Sequence, residues 1–278
     1  MVWVGDGRLG SIVPESEALI SVFDHGLTVG DGVFETLKVT EQGAFAVTRH
    51  LDRLARSCAA MGLPMPDAGL IRQAIDEVVG VNAPLYGSLG RLRITVTAGA
   101  GPLGSERSDD DVSLIVAVAP QRAWPPSASL VTVPWCRNEH SAIATVKSTS
   151  YAENVVALRY AHAHDASEGI FCNTQGMVCE GTGSNIFWVE GSEVFTPTLP
   201  SGCLAGVTRG LIVDWFDVTE RDAPLAEVLQ ADEVFITSST RDVQPVSRWD
   251  ARHWPDPGPV TVAMQDAFNR RSSTTVDP

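Results

Sequence analysis

The chain has 278 residues, 44% of them hydrophobic, with 34 acidic against 20 basic side chains and a formal charge of −14. That balance leaves no broad basic face for nucleic acid or an anionic membrane, no apolar run reaches the ~18 residues of a membrane span, and MVWVGDGRLG lacks the marks of a signal peptide. The expectation is a cytoplasmic protein acting on a small molecule, its five cysteines (Cys58, Cys136, Cys172, Cys179, Cys203) reduced because their number is odd and none forms a CxxC pair.

In chain order, SVFDHGLTV and GVFETLKV read as strand segments. RHLDRLARSCAAMG repeats apolar residues at helical spacing (Leu51, Leu54, Ala55, Cys58) up to Gly62, and GLIRQAIDEVVG does the same at Leu70, Ile71, Ala74, Ile75 and Val78. RLRITVTAG alternates with period two, VSLIVAVAP suits a strand buried on both faces, and residues 99–111 between them have loop composition. Three prolines within 120–126 mark a break, giving an α/β (α+β) protein of two domains: 1–119 an N-terminal α+β domain, 120–127 a linker, and 128–278 a C-terminal domain. The second half alternates strand and helix: SLVTVPW, AENVVALRYAHAH, GIFCN, SNIFWVE, GVTRGLIVDWF, EVFITSS and a helix from about 260, with RRSSTTVDP expected to be disordered.

Lysine occurs twice, at Lys38 and Lys147. As solvated charges lysine and arginine interchange, but only the amine can shed its proton and attack a carbonyl, so Lys147 in ATVKSTSY is a candidate nucleophile. Lys38 is expected to be dispensable. Glu180 precedes a glycine-rich turn in VCEGTGSNIF, where a carboxylate is either a solvated turn residue or a buried acid facing a ring nitrogen. Val207 and Thr208 open a helix in GVTRGLIVDWF, whose free N–H groups form an anion site or, more plainly, an ordinary capped terminus. Ser239 and Thr240 belong to a run of four hydroxyls leaving a strand, and Arg49 sits at a helix start, an unfavourable place for a cation unless an anion is near. The histidines lack the spacing of a metal site, so no metal is expected.

A lysine, an acid, a helix N-terminus, hydroxyls and an arginine are together the parts that pyridoxal phosphate requires. From DHGLTVGDGVFETLKV and TRHLDRL through VKSTSY, EGTGSNIF and GVTR to ADEVFITSSTRDVQPV, the chain resembles the class IV (fold type IV) pyridoxal-phosphate enzymes. These include branched-chain and D-amino-acid aminotransferases, (R)-selective amine transaminases and 4-amino-4-deoxychorismate lyases. The resemblance implies a barrel-like, cofactor-binding C-terminal domain, a homodimer, and pyridoxal 5'-phosphate attached to Lys147. By it Glu180 would pair with the pyridine nitrogen, Tyr151 would meet the ring hydroxyl, and Arg49, Val207, Thr208, Ser239 and Thr240 would hold the phosphate. Phe34 lies where the family's substrate pocket begins.

The likeness in GDGVFETL and TRHLDRLARSCAAMG is closest to the lyases, which implies release of 4-aminobenzoate and pyruvate in folate biosynthesis. The alternatives are transamination of D-amino acids, branched-chain amino acids or (R)-amines, and an inactive binding protein of the same fold. The arginine and histidine that trap the substrate carboxylate in D-amino-acid aminotransferases fall on Leu103 and Ser105, which counts against that activity, although Arg107 could substitute. A decayed site would have no reason to keep lysine, acid and phosphate partners together.

Overall fold

The computed structural model describes residues 1–108 and 111–278; Asp109 and Asp110, within the loop expected over 99–111, lie outside the described residues. The chain divides into two compact units, one of Met1–Ala123 with Val146–Tyr151 and Thr275–Pro278, the other of Trp124–Thr145 with Ala152–Thr274.

The first unit contains β1 (Val2–Gly5), β2 (Gly10–Val13), the short helix α1 (His25–Thr28), β3 (Gly32–Thr40), β4 (Gly43–Ala44), α2 (Val47–Met61), α3 (Ala68–Tyr86), β5 (Gly90–Thr97) and β6 (Ser113–Pro120). Its six strands form an antiparallel sheet in the order β2-β1-β6-β5-β3-β4. The period-two pattern of RLRITVT buries Leu92, Ile94 and Val96, which join Val33, Leu37, Val39, Leu114 and Val116 on the core face. Against them lie the apolar stripes of α2 (Leu51, Leu54, Cys58) and α3 (Ile71, Ala74, Ile75, Val78). Each of the Leu, Ile and Val side chains contributes about 1.5–3 kcal/mol when fully buried. The strand β6 is buried chiefly on one face, Leu114 and Val116 inward with Ile115 and Ala117 only half covered, because the helices pack on one side of the sheet.

Three local expectations are corrected. SVFDHGLTV is not a strand: Asp24 caps α1 by accepting from the Gly26 N–H at 2.8 Å, and its other oxygen accepts from Thr97 and Ser113 hydroxyls at 3.0 and 2.7 Å. Helix α3 runs past Gly80 and through Pro84, its last turns held by Asn82, which donates to the carbonyls of Val78 and Met1 at 2.8 and 2.9 Å. The tail RRSSTTVDP is ordered. Residues up to Thr274 complete the last helix, and beyond it Asp277 accepts from the Thr48 N–H at 2.8 Å and the Thr48 hydroxyl at 2.6 Å. Ala46, the N-cap of α2, has no capping side chain and a left-handed φ of 57°, so Asp277 supplies the missing cap from a distant part of the sequence.

The second unit contains β7 (Ala128–Arg137), α4 (Ala152–Ala163), β8 (Glu168–Asn173), β9 (Val178–Gly181), β10 (Asn185–Glu190), β11 (Glu193–Thr196), α5 (Val207–Trp215), β12 (Val218–Glu220), α6 (Leu225–Val228), β13 (Glu233–Ser238), β14 (Asp242–Trp249), β15 (Arg252–His253) and α7 (Pro259–Thr274). Its sheet follows the order β12-β11-β10-β13-β14-β7-β8-β9, with β15 beside β14. Pairing is mixed: β7 is parallel to both β14 and β8, and β11 to β12, whereas β10, β13 and β14 are antiparallel neighbours. Trp188, Trp249, Ile186, Ile236 and Val246 fill the core. Among the described residues no helix is long and apolar enough to cross a membrane.

Candidate active site

The residues singled out from the sequence fall into two sets, one in each unit. In the first unit the segment Val146–Tyr151 is added to the edge of β3. The Phe34 N–H donates to the Lys147 carbonyl at 2.9 Å, Ser148 bridges to Val33, and the Thr149 N–H donates to the Gly32 carbonyl at 2.8 Å. Thr149 and Ser150 hydroxyls both donate to the Gly30 carbonyl at 2.9 Å. This approach is why the turn reads VGDGVF: a Cβ on Gly32 would lie 2.7 Å from the Val96 carbonyl oxygen, and Gly30 has φ 70° with Ser150 Oγ in the way. The backbone on either side of the lysine is therefore fixed.

The Lys147 Nζ lies 4.4 Å from the Phe34 ring centroid and 5.7 Å from that of Tyr151, and the two rings meet edge to face at 5.2 Å. The Arg93 guanidinium lies on the same Phe34 ring at 3.7 Å. Arg93 lies on β5 opposite Thr36, so the outward positions of RLRITVT carry it to the Phe34 side of the sheet. Surrounding protein lowers the Arg93 pKa, a shift opposed by Tyr151. Phe34, Lys147 and Tyr151 are thus brought together as expected positions, and Arg93 joins them. Its signal in the sequence was alternation, a cation where the strand pattern puts an outward residue.

Beneath Phe34, on the core face, Glu35 is wholly buried with His50 and Arg53. Arg53 donates to it through Nε (2.8 Å) and Nη2 (2.6 Å), and His50 Nδ1 lies 2.7 Å from Oε2. Burial raises the Glu35 pKa, but the charge and hydrogen bonds of Arg53, with His50, outweigh it and leave it lowered to about 2. Burial pushes His50 down despite Glu35, and Arg53 and Lys147 push it the same way. His50 is accordingly the neutral donor of the trio.

Two expected positions are also tied to other parts of the first unit. Arg49 Nε donates to the Pro278 carbonyl at 3.0 Å. Arg107 grips Asp31 with two 2.6 Å bonds and donates to the carbonyls of Met61 and Gly62 at 2.8 Å, while buried His25 holds the Pro102 carbonyl from the other end of the loop. Lys38 is buried, 5.0 Å from the Phe45 ring centroid.

In the second unit Glu180 lies on β9 opposite Phe171. Its Oε2 accepts from the Leu204 N–H at 2.9 Å, and its Oε1 lies 3.1 Å from Arg137 Nε, a guanidinium that also pairs with Glu153 and rests 4.2 Å from the Phe171 ring centroid. Burial and then the Glu180 charge raise both neighbouring thiols, Cys179 and Cys203, the latter to about 11. Arg137 was not singled out from the sequence, since a strand-terminal arginine in CRNEH has no local mark.

The same Leu204 turn leads into α5. Asn185 donates to the Leu204 carbonyl at 2.8 Å, and its side-chain oxygen fills the place of a Gly206 Cβ, which would lie 2.0 Å away. Gly206 is the N-cap and offers no side-chain cap, leaving the N–H groups at Val207 and Thr208 without one; both residues are buried. Asn185 also pairs with Thr237 on β13, the strand that runs out into Ser238, Ser239 and Thr240. The buried Thr237 hydroxyl has no hydrogen-bond partner among the described residues, and Thr240 accepts from the Trp124 indole at 3.4 Å. Glu180, Val207–Thr208 and Ser239–Thr240 are therefore linked through Leu204 and Asn185. An uncapped helix end, a glycine admitting no Cβ and an orphaned hydroxyl fit a phosphate-bearing ligand. Among the described residues no group of histidine, cysteine and carboxylate side chains is arranged to hold a metal.

The chain is similar to known proteins over most of its length. The family model described as amino-transferase class IV matches residues 32–249. A putative branched-chain-amino-acid aminotransferase of Methanocaldococcus jannaschii is 30% identical over 272 residues, 93% of each chain. An aminodeoxychorismate lyase of Bacillus subtilis is 28% identical, covering 94% of this chain and 92% of its own. The crystal structure of a branched-chain aminotransferase of Thermoproteus uzoniensis with norvaline superposes with a TM-score of 0.88 at 27% identity, over 97% of this chain and 93% of that one.

Proposed function

Because the chain belongs to the amino-transferase class IV family, whose members here are enzymes of the aminotransferase or lyase kind with pyridoxal 5'-phosphate as cofactor, we propose that it converts 4-amino-4-deoxychorismate into 4-aminobenzoate and pyruvate. Bound pyridoxal phosphate supplies a carbonyl that captures an amine and a ring that accepts electrons. Lys147 would hold the cofactor through that carbonyl and would take the proton from the amine-bearing carbon of the substrate. Tyr151 meets the ring hydroxyl. Glu180, paired with Arg137, would hold a proton on the ring nitrogen. The N–H groups of Val207 and Thr208, with Ser239, Thr240 and Arg49, hold the phosphate. Loss of that proton with cleavage of the ring carbon's bond to the enolpyruvyl oxygen would make the ring aromatic, and the released enolpyruvate would take up a proton, the equivalent of the one given to Lys147, to become pyruvate.

The observation that carries the lyase reading is the Arg93 guanidinium on the Phe34 ring beside Lys147. Lys147 and Arg93 both lie against Phe34, while Arg107, the arginine of the 99–108 loop, is consumed by Asp31. A flat, ring-shaped substrate with carboxylates away from its amine suits Phe34 and Arg93. A compact α-amino acid needs its carboxylate gripped beside the reacting carbon, and Arg107 is not disposed to grip it. A second reading, amino transfer, is supported by the 30% identity to the archaeal relative named as a branched-chain aminotransferase. Purified protein offered 4-amino-4-deoxychorismate should release 4-aminobenzoate and pyruvate. Amino transfer from branched-chain amino acids, D-alanine or an (R)-amine to a keto acid, without aromatic product, would replace the lyase by the second reading. Lys147→Arg should lose turnover and the visible cofactor band that borohydride bleaches, since a guanidinium cannot add to the carbonyl.

We also propose a cytoplasmic homodimer. The support is a run of exposed apolar side chains over residues 19–29: Leu19, Ile20, Val22, Phe23, Leu27 and Val29. Light scattering that returned the mass of one chain for the active enzyme would contradict this.

A further inference from the structure

One buried ion pair of the second unit takes no part in the reaction outlined above, yet it touches both polar loops of that unit. Glu168, at the start of β8, is 1% exposed. Its Oε1 accepts from the Thr182 hydroxyl at 2.8 Å, the Gly183 N–H at 2.6 Å and the Ser184 hydroxyl at 3.2 Å, which are the residues that follow Glu180 and its glycine. Its Oε2 accepts from Arg241 Nη2 at 2.5 Å. Arg241 directly follows Ser239 and Thr240, donates to Gln244 Oε1 at 2.7 Å, and lies 3.7 Å from the centroid of the Trp124 ring. The Trp124 indole in turn donates to the Thr240 hydroxyl at 3.4 Å, and Gln244 donates to the Pro125 carbonyl at 2.7 Å.

The carboxylate therefore holds the turn at 182–184 directly and the turn at 238–241 through one guanidinium. Gly181 belongs to the same construction, since a Cβ there would lie 2.3 Å from Ser184 Oγ and 2.9 Å from Glu168 Oε1. A buried ion pair is an inefficient stabiliser, because desolvating both charges offsets much of their attraction. What a fully satisfied network does supply is a single geometry. We infer that Glu168 and Arg241 are positioning residues that set the spacing between the turn beside Glu180 and the turn carrying Ser239 and Thr240. That spacing is the distance a cofactor's ring nitrogen and phosphate must match. The inference rests on the proposed role of these two turns in holding pyridoxal phosphate.

The test compares Arg241→Met and Arg241→Lys with the parent in the full chain, by titration with pyridoxal 5'-phosphate and with inorganic phosphate, by the pH dependence of the visible cofactor band, and by melting of the apoprotein. Arg241→Met should bind pyridoxal phosphate at least about tenfold more weakly, shift the pH midpoint of the band and weaken phosphate binding. Arg241→Lys should restore part of the affinity, since an ammonium can meet Glu168 but cannot also reach Gln244 and stack on Trp124. A folded Arg241→Met that binds pyridoxal phosphate with parental affinity and an unchanged band overturns the inference. Should Arg241→Met not fold, Glu168→Gln/Arg241→Met removes both charges while leaving an acceptor for Thr182–Ser184, and parental affinity in that variant overturns the inference equally. A parent protein without any borohydride-sensitive band defeats the cofactor roles themselves, a result distinguishable from variants that merely match a coloured parent.

Discussion

Replacing Glu35 by glutamine removes one charge from the buried trio and little volume. In the parent that carboxylate accepts three hydrogen bonds, two from Arg53 and one from His50, at 2.6–2.8 Å, and is inaccessible to solvent. Lowering of its pKa from 4.5 to about 2 corresponds, at about 1.4 kcal/mol per unit, to about 3 kcal/mol of preference for the ionised form in the folded state. Breaking one side of a buried pair costs about 3–5 kcal/mol, because the remaining charge is stranded, so the two routes agree. Glu35→Gln should destabilise the first unit by about 3–5 kcal/mol at neutral pH, measured by urea unfolding of the apoprotein followed by far-UV circular dichroism. Because the folded pKa is depressed, the parental advantage is complete above the unfolded value near 4.5 and disappears as pH falls through about 2. Glu35→Leu/Arg53→Met, which removes both charges, should regain most of the loss. A loss below about 1 kcal/mol at pH 7, or a gap that widens on acidification, would refute the assignment of a paired, buried carboxylate.

Glu180→Gln should still take up pyridoxal phosphate but lose turnover by on the order of 10²-fold, since an amide cannot hold the ring-nitrogen proton and leaves Arg137 facing a neutral group; steady-state rates at saturating cofactor measure this. Asp277→Ala should destabilise the first unit by about 1 kcal/mol in the same urea assay, because the N–H groups opening α2 lose their only capping side chain among the described residues.

How far the sequence reached depended on how local the determinants were. The stripe Leu51, Leu54, Cys58 and the stop at Gly62 sufficed for α2, since a left-handed C-cap glycine and helical spacing are properties of adjacent residues. The extension of α3 through Pro84 was invisible, because it depends on Asn82 bonding to Met1, 81 positions away. The order of the tail has the same cause: STTVDP is small and mostly polar, and the uncapped start of α2 gives Asp277 its partner. At the site, residue types with a unique chemistry stood out. Lysine next to SxSY and glutamate before a glycine turn mark themselves. Arg93, Arg137, Glu168 and Arg241 are ordinary surface types in the sequence, and their importance arises from partners brought by pairing of distant strands. Arg49 stood out by its place at a helix start and by the resemblance, whereas Arg53, one turn on, is drawn inside by an acid on a neighbouring strand and has no local mark.

A chain of net charge −14 that binds a phosphate ester must meet the anion locally, and the groups proposed for the phosphate in the second unit would do so without an arginine of their own. The arginines attached to the three polar motifs are each matched to a carboxylate: Arg137 to Glu180 and Glu153, Arg209 to Glu220, Arg241 to Glu168. What that unit offers the anion is therefore dipolar: the uncapped N–H groups of α5, the Thr208, Ser239 and Thr240 hydroxyls, and the orphaned Thr237 hydroxyl. Fixed dipoles in a buried cradle are screened far less than an exposed arginine, whose attraction fades over a Debye length of about 10 Å at 0.1 M salt and about 3 Å at 1 M. Raising potassium chloride from about 0.05 to about 0.5 M should accordingly weaken pyridoxal-phosphate binding by less than about threefold, with Arg49, the cation proposed from the first unit, a minor contributor. A loss of tenfold or more, measured by absorbance titration, would mean that a solvent-exposed cation dominates the phosphate site and that the dipolar account is wrong.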